Sequence, residues 1–315
     1  MAVRSQSVAA SGALVRQGPL GRLLEREAIF SWLMLAPALL FLLAFVAYPF
    51  VYGIYLSLQQ RAVAQEGVFV GLQNYVDNWQ TPIFWQVAQN TVVFTFAATV
   101  FKLIGGMGLA LVMNQQFPLK NLVRAALLLP WIVPTVLSTI AWMWIFDPTF
   151  SVINWTLVYT GLMERGPSWV GDGFWAMVMV IIANVWRGLP FYAITLLAAL
   201  QTISGELYEA AAIDGANARQ RFFRVTLPLL KPVLIITTMF SVIWTFSDFQ
   251  LVYVLTAGGP SNATHLFATY AFNVGIESGN IPRGASVSLF MFPILATLAF
   301  FVLRDVLKRS KEIST

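Results

Sequence analysis

The sequence predicts an all-α, polytopic membrane protein with six transmembrane helices. Of its 315 residues, 58% are hydrophobic and 10% are charged, and the mean hydropathy is +0.73. A soluble core of this length could not bury so much apolar surface, so lipid must solvate a large part of the chain. Two further observations support this class. Several apolar runs reach the roughly 20 residues that a helix needs to cross hydrocarbon, and basic residues are unevenly distributed between those runs.

Six segments have the length and composition of membrane spans. Three carry no charged residue, and the others contain a single one each, namely Lys102, Arg187 or Asp248. Prolines such as Pro130 and Pro134 lie in or near the segments, where they are tolerated if neighbouring helices satisfy the freed carbonyl groups, which indicates a helix bundle. The predicted spans are residues 28–60, 90–114, 125–146, 174–203, 232–255 and 284–303.

The basic residues predict the orientation of these spans. Cytoplasmic connections hold an excess of Lys and Arg, and most of the 19 basic residues fall in every second connection. Both termini are therefore expected in the cytoplasm, with a tail over 1–28, a membrane domain over 29–304 and a second tail over 305–315. The net charge of +5 then reflects topology and does not indicate a nucleic-acid partner. The basic residues on the cytoplasmic side are Arg4, Arg16, Arg22, Arg26, Lys120, Arg124, Arg219, Arg221, Arg224, Lys231, Arg304, Lys308, Arg309 and Lys311, against Arg61, Arg165 and Arg283 on the other side.

The connection at about 204–231 is too long for a simple turn and is patterned like two short helices. Leu207, Ala210 and Ala211 recur at helical spacing, and Gly215 follows as a stop because glycine accepts left-handed backbone angles. A second apolar group follows and is predicted to end at Leu227 and Pro228. A cytoplasmic surface helix with small residues and one carboxylate is suited to close docking by another protein.

The order of residues in this connection resembles a known motif. Glu209, Ala210 and Ala211 are followed after three residues by Gly215 and, after nine more, by the segment from Val225 to Pro228. This pattern is similar to the EAA loop of binding-protein-dependent ATP-binding-cassette (ABC) permeases, with valine where the family usually has isoleucine. The segments FVGLQNY, LLPWIVPTV, WIFDPTF, WRGLPF, LQTI and LTAGGPSNAT extend the resemblance over residues 30–304, to maltose- and glycerol-phosphate-type permeases.

The resemblance implies the fold of a type I ABC importer permease and a function in uptake of a sugar or sugar-like solute. It implies four kinds of partner: a second homologous permease subunit, two ATPase subunits, a periplasmic or lipid-anchored solute-binding protein, and membrane lipid. The chain would lie in the bacterial inner membrane, would not be an enzyme and would bind no cofactor, since ATP and Mg²⁺ belong to the ATPase subunits. The residues that the resemblance assigns to ATPase coupling are Glu209, Ala210, Ala211, Gly215, Leu227 and Pro228.

A solute pathway is predicted on the fifth span. Ser241, Thr245 and Asp248 recur at i, i+4 and i+7, with Trp244 beside them, so that polar groups and one ring share a face. Polar residues buried in a membrane face a cavity or another helix, and an ionisable one suggests a functional site. An alternative role for Ser241 and Thr245 is hydrogen bonding between helices. Carried over by resemblance, the pathway set is Gly188, Phe191, Ser241, Trp244, Thr245 and Asp248.

Three further polar residues leave alternatives open. Arg187 lies halfway through its span and would pair with Asp248, reach an interface or contact an anionic group of the solute. Lys102 would reach an interface and is assigned no role. His265, the single histidine, is expected at the surface of an outer loop near the docked binding protein.

Two other functional classes compete with this interpretation. A membrane enzyme would need metal ligands or an acid and base pair, but the chain has no cysteine and no HExxH motif. It also has no Walker A sequence, so ATP chemistry would require another chain. A proton-coupled secondary carrier would use Asp248 as its membrane carboxylate but would leave the EAA-like loop without a purpose. The solute stays open between oligosaccharides, polyols and glycerol phosphates.

Overall fold

The computed structural model describes residues 27–61 and 67–314, with the backbone alone for 27–30 and 306–314. The predicted N-terminal tail, with Arg4, Arg16, Arg22 and Arg26, therefore lies almost entirely outside the described residues. The chain forms two compact units, Met1–Gly53 and Ile54–Thr315.

The described chain is mostly helical. The sheet within the described residues is a two-stranded antiparallel ribbon in which β1 (Gln59–Gln60) pairs with β2 (Val68–Phe69). The helices are α1 (Glu27–Leu42), α2 (Tyr48–Ser57), α3 (Gln73–Gln80), α4 (Pro82–Asn114), α5 (Lys120–Leu127), α6 (Leu129–Ile132), α7 (Thr135–Ile145), α8 (Val152–Tyr159), α9 (Gly173–Leu200), α10 (Gly205–Ile213), α11 (Ala218–Arg221), α12 (Leu227–Phe246), α13 (Gln250–Thr256), α14 (Phe267–Phe272) and α15 (Ile281–Ser314), and wider π-helical turns cover Leu43–Ala47, Phe222–Thr226 and Asn273–Glu277.

The membrane spans agree with the predicted all-α class. Among the described residues, five helical stretches are long and apolar enough to cross a membrane: Ser31–Ser57, Pro82–Asn114, Gly173–Leu200, Ala218–Phe246 and Ile281–Asp305. Lys120–Ile132 and Thr135–Ile145 pass the same test only together and meet at an angle of 96°, so the pair is either a broken sixth span or a re-entrant loop. The bend falls at Val133, which is extended because the following residue, Pro134, disfavours helical angles before it.

The extents of the spans differ from the prediction, most of all in the second and the fifth span. The second span begins at Pro82 and not at residue 90, since proline is well placed in the first turn of a helix. The fifth span was predicted over 232–255, which is wrong. Its helix begins at Ala218 and ends at Phe246, and α13 forms a separate helix beyond a break at 247–249. The Ser247 hydroxyl bonds to the Ile243 carbonyl at 2.9 Å, in keeping with the tendency of Ser and Asp to compete with helical hydrogen bonds.

The central packing is between α4 and α9, which run parallel. Gly106 of α4 lies against Tyr192 of α9, and a Cβ atom on Gly106 would overlap the Tyr192 side chain. Small residues at such a contact let two membrane helices approach closely. Antiparallel α12 packs against both, so that Leu230 near its start joins Met113 and Leu200 in one apolar cluster. These three helices surround the candidate site.

Candidate functional site

The EAA-like segment forms the first of the two short helices that the sequence predicted, and a second helix begins after the turn. Ser204 caps α10 by accepting a hydrogen bond from the Glu206 amide at 3.3 Å. Gly215 follows at φ +80°, the left-handed conformation expected of it. Asn217 and Gln220 then form a reciprocal capping box at the start of α11. The sharp turn between the helices is therefore fixed by local sequence.

The segment presents exposed apolar side chains in the described chain. Ile213, the last residue of α10, is 88% exposed, and Leu207 and Phe223 are 46% and 54% exposed. Glu209 and Ala210 are also exposed. Exposed apolar residues at a helical tip are a feature of protein interaction sites.

The predicted end at Leu227 and Pro228 is wrong. The helix that begins at Ala218 continues through both residues into the membrane span. Pro228 is accommodated because it lies in the first turn of α12, directly after the wider turn Phe222–Thr226. The hydroxyl groups of Tyr208 and Thr226 lie 3.0 Å apart, so the segment is tied to the root of the span. The assigned coupling roles of all six residues stay predictions.

A buried polar network joins α4, α9 and the break after α12. Arg187 pairs with Asp248, as the sequence suggested, and Asn184 donates to the same carboxylate oxygen at 2.8 Å. The Lys102 ammonium donates to Asn184 Oδ1 at 2.9 Å and to Thr245 Oγ1 at 2.6 Å. Asp248, Asn184, Lys102 and Thr245 are all at least 94% buried. Two cations and one carboxylate thus lie together near the middle of the bundle.

The network corrects two predictions. Asp248 does not continue the helical face of Ser241 and Thr245, because the helix ends two residues before it. It reaches the same region from the break instead. Lys102 was assigned no role, yet it connects two helices. Asn184 was also missed, although it lies one turn before Arg187 on α9 and its amide matches the adjacent charges.

A small cavity of about 70 Å³ adjoins the network. Phe191 and Trp244 form part of its wall with their ring centroids 5.0 Å apart, and Trp131 lies 5.9 Å from Phe191. Trp244 is 52% exposed, so the wall also faces the outside of the chain. The cavity is lined by Lys102, Trp131, Asn184, Arg187, Gly188, Phe191, Ser241, Trp244 and Thr245.

The cavity brings together five of the six residues of the predicted pathway set with Arg187, the further candidate for solute contact; Asp248 lies behind them in the network. The Thr245 hydroxyl is already used, since it donates to the Ser241 carbonyl at 2.6 Å and accepts from Lys102. This favours the helix-bonding alternative for Thr245. Their roles in solute binding stay predictions.

His265 is buried and not at the surface. It is 5% exposed, with Nδ1 3.2 Å from the Thr269 hydroxyl, and burial lowers the pKa of its imidazole. The loop folds back because Gly258 has φ +87° and a side chain there would overlap the His265 ring. His265 is therefore a structural residue of the loop. Within the described ranges, no three His, Asp or Glu side chains are grouped to hold a metal ion.

A second, polar cavity of about 580 Å³ lies between the β1–β2 ribbon and the start of α15. Arg283 is fixed at its edge by bonds to Asn78 Oδ1 at 2.8 Å and Thr81 Oγ1 at 2.7 Å. Helices α4 and α15 both begin beside this cavity, whereas the other end of α4, at Met113, packs against Leu230 just after the EAA-like segment. The cavity therefore lies at the end of the bundle opposite that segment. Its lining is Gln60, Arg61, Val70, Gln73, Asn74, Asp77, Ser278, Gly279, Asn280 and Arg283.

Comparison with known proteins gives consistent matches. The family described as "Binding-protein-dependent transport system inner membrane component" matches residues 102–311. The trehalose/maltose transport system permease protein MalF of Thermococcus litoralis is 35% identical over 284 residues, which cover 90% of this chain and 95% of that protein. The sulfoquinovosyl glycerol transport system permease protein SmoG of Agrobacterium fabrum is 32% identical, covering 91% and 92%. The diacetylchitobiose uptake system permease protein DasB of Streptomyces coelicolor is 34% identical, covering 90% and 89%.

Solved structures share the fold. A chain of a bacterial ABC transporter involved in import of the acidic polysaccharide alginate superimposes with a TM-score of 0.74 at 22% identity, covering 95% of this chain and all of that one. A second structure of the alginate transporter, in complex with an alginate-bound periplasmic protein, gives a TM-score of 0.75 at 21% identity, covering 90% and 96%.

Proposed function

Because the chain belongs to the family of binding-protein-dependent transport system inner membrane components, we propose that it is a permease subunit of an ATP-driven importer for carbohydrates. The observation that carries the ATP-driven part is the exposed tip of α10, with Ile213 88% exposed beyond a glycine turn at φ +80°. An ATPase subunit would cover this tip, and closure of the ATPase dimer would act through it on α12. ATP and Mg²⁺ would be bound by that partner.

The opposite end of the bundle is suited to receive a solute-binding protein. The polar cavity there has the volume of ligand pockets, about 300–1,000 Å³, but the Arg283 side chain at its edge is held by hydrogen bonds within the chain. We therefore propose that this cavity contacts the solute-binding protein and does not bind the solute. In this orientation the EAA-like segment and the end of α15 face the cytoplasm, in agreement with the basic residues of these two regions, and the basic residues near the N-terminus support the same side for it.

The smaller cavity supports a carbohydrate as the solute. Sugars present hydroxyl groups at their edges and apolar C–H faces, and the cavity offers charged donors beside the rings of Phe191 and Trp244. Three relatives are transport or uptake permeases for trehalose and maltose, sulfoquinovosyl glycerol, and diacetylchitobiose, according to their names. Glycerol phosphates and polyols are the alternative solutes that the same groups would bind.

The volume of this cavity supports a second permease subunit. About 70 Å³ is room for roughly two water molecules at ~30 Å³ each and is too small for a disaccharide. Because Trp131 and Trp244 are both 52% exposed, a homologous subunit packed against them would enclose a larger space between the two chains. Alternating access would then open this space first to one side and then to the other.

A proton-coupled carrier is less well supported. It would need a carboxylate that is free to take up protons, and Asp248 is occupied by Arg187 and Asn184.

The test is co-purification in mild detergent from the native host, comparing the wild type with Ile213→Asp and the matched control Ile213→Met. We expect an ATPase subunit and a second permease to co-purify with the wild type and with Ile213→Met. Ile213→Asp should lose the ATPase subunit and keep the second permease, because the side chain is 88% exposed in the described chain. Purification of the wild-type chain alone would contradict the proposal.

A further inference from the structure

Lys102 is a buried cation that the proposed function leaves without a role. Its side chain is 4% exposed, and its Nζ donates to Asn184 and Thr245, both neutral acceptors. The nearby carboxylate of Asp248 accepts instead from Arg187 and Asn184. In the described part of the chain, Lys102 forms no ion pair.

The hydrogen bonds of Lys102 are incomplete. An ammonium has three N–H donors, and two are used within residues 27–61 and 67–314. A buried charged donor without an acceptor is unfavourable, and in a membrane bundle such a group faces a cavity or a partner. Lys102 lines the cavity with Phe191 and Trp244. A solute oxygen in that cavity would supply the missing acceptor.

Gly188 allows Lys102 to reach this position. A Cβ atom on Gly188 would overlap Lys102 Cδ and would lie 3.4 Å from Cγ and 3.5 Å from Cε. All three nearest atoms belong to Lys102, so the lysine stem crosses α9 at a position where no side chain projects. The position of the Lys102 side chain therefore depends on Gly188.

We propose that Lys102 binds an oxygen atom of the solute and that Gly188 is the positioning residue that clears its path. This inference rests on the proposed function, in which the cavity is part of the solute pathway. The solute oxygen is a hydroxyl of a neutral sugar or a carboxylate of an acidic one, and the two are distinguished by experiment.

The test measures ATP-dependent uptake by the complete complex, with its binding protein, in proteoliposomes. The probes are maltose, trehalose, diacetylchitobiose and an alginate tetrasaccharide. Lys102→Met keeps the length of the stem and removes the charge, and we expect it to raise the KM of the imported probe by about tenfold or more with the maximal rate within about twofold. Lys102→Arg keeps a charged donor and should restore part of the affinity. A larger loss for the alginate tetrasaccharide than for a neutral probe identifies the oxygen as a carboxylate; equal losses identify a hydroxyl.

Gly188→Ala adds a readout that a structural role alone would not give. It should raise KM when Lys102 is present, but cause no further rise in a Lys102→Ala background, because the overlapping atoms are then gone. An unchanged KM in Lys102→Met, with the wild type importing a probe, overturns the inference and leaves the proposed function standing. Uptake of none of the four probes by the wild-type complex overturns the proposed carbohydrate import and the inference with it.

Discussion

Gly215 offers the sharpest test of the coupling segment because its role is conformational and not steric. A Cβ atom there would meet nothing within 4 Å, but the residue has φ +80°. The effect of Gly215→Ala is therefore the backbone penalty alone, about 1–2 kcal/mol for an L-residue in the left-handed region. The ATPase subunit would bind only the segment that has this turn. Its affinity for the Gly215→Ala permease should therefore be about 5- to 30-fold lower than for the wild type.

Two variants control this prediction. Asparagine visits left-handed angles more readily than alanine, so Gly215→Asn should lose less affinity. Gly205→Ala, at the start of α10, also meets nothing within 4 Å and has an ordinary φ, so it should bind as the wild type does. The assay is the binding constant of the purified ATPase subunit for the permease in detergent, with the rate of uptake per ATP hydrolysed as the second readout. The reasoning is refuted if Gly215→Ala binds normally or if Gly205→Ala loses as much.

The remaining predictions concern stability. Asp248→Ala leaves Arg187 unpaired and should destabilise the purified complex by about 2 kcal/mol or more. This is less than the ~3–5 kcal/mol lost from a fully buried pair, because the Arg187 side chain is 23% exposed. The melting temperature should fall in Asp248→Ala and recover in part when Arg187→Met is added. Gly284→Ala places a Cβ atom 2.6 and 2.7 Å from backbone atoms of the neighbouring segment and should cost about 1–3 kcal/mol by overpacking, whereas Gly108→Ala, with nothing within 4 Å, should not destabilise. Burial lowers the pKa of His265 below its usual 6.5 in the folded chain. As the pH falls, the unfolded chain therefore protonates His265 before the folded chain does, and stability should fall as pH drops below about 6.5. His265→Gln should flatten the melting temperature between about pH 5 and 7, and an unchanged slope would contradict the assignment.

Much of the fold was predictable from the length of the apolar runs and from residues that favour turns and helix caps. Apolar runs located the spans, and Gly215, with the caps at Ser204 and Asn217, defined α10 and the start of the helix that follows it. These features depend on residues close in sequence, so the pattern alone carries them.

The errors arose where tertiary contacts decide the outcome. Helical spacing extended the fifth span to residue 255, but the side chain of Asp248 is held by Arg187 and Asn184 on another helix, and the helix has already ended. His265 looked like a surface residue because it follows a polar loop, yet that loop folds inward. No spacing rule connects Lys102 with Asn184 and Thr245, which lie 82 and 143 positions further along the chain. Its place in the site depends on the parallel packing of α4 and α9.

The most direct test of the central claim is solute uptake into proteoliposomes that contain the complex purified with this chain. With its binding protein outside and ATP supplied to the side that holds the ATPase subunits, a radiolabelled sugar should accumulate only when ATP is hydrolysed. Collapse of the proton gradient should leave the rate unchanged. Uptake that ignores ATP and stops when the proton gradient collapses would contradict the account and indicate a proton-coupled carrier.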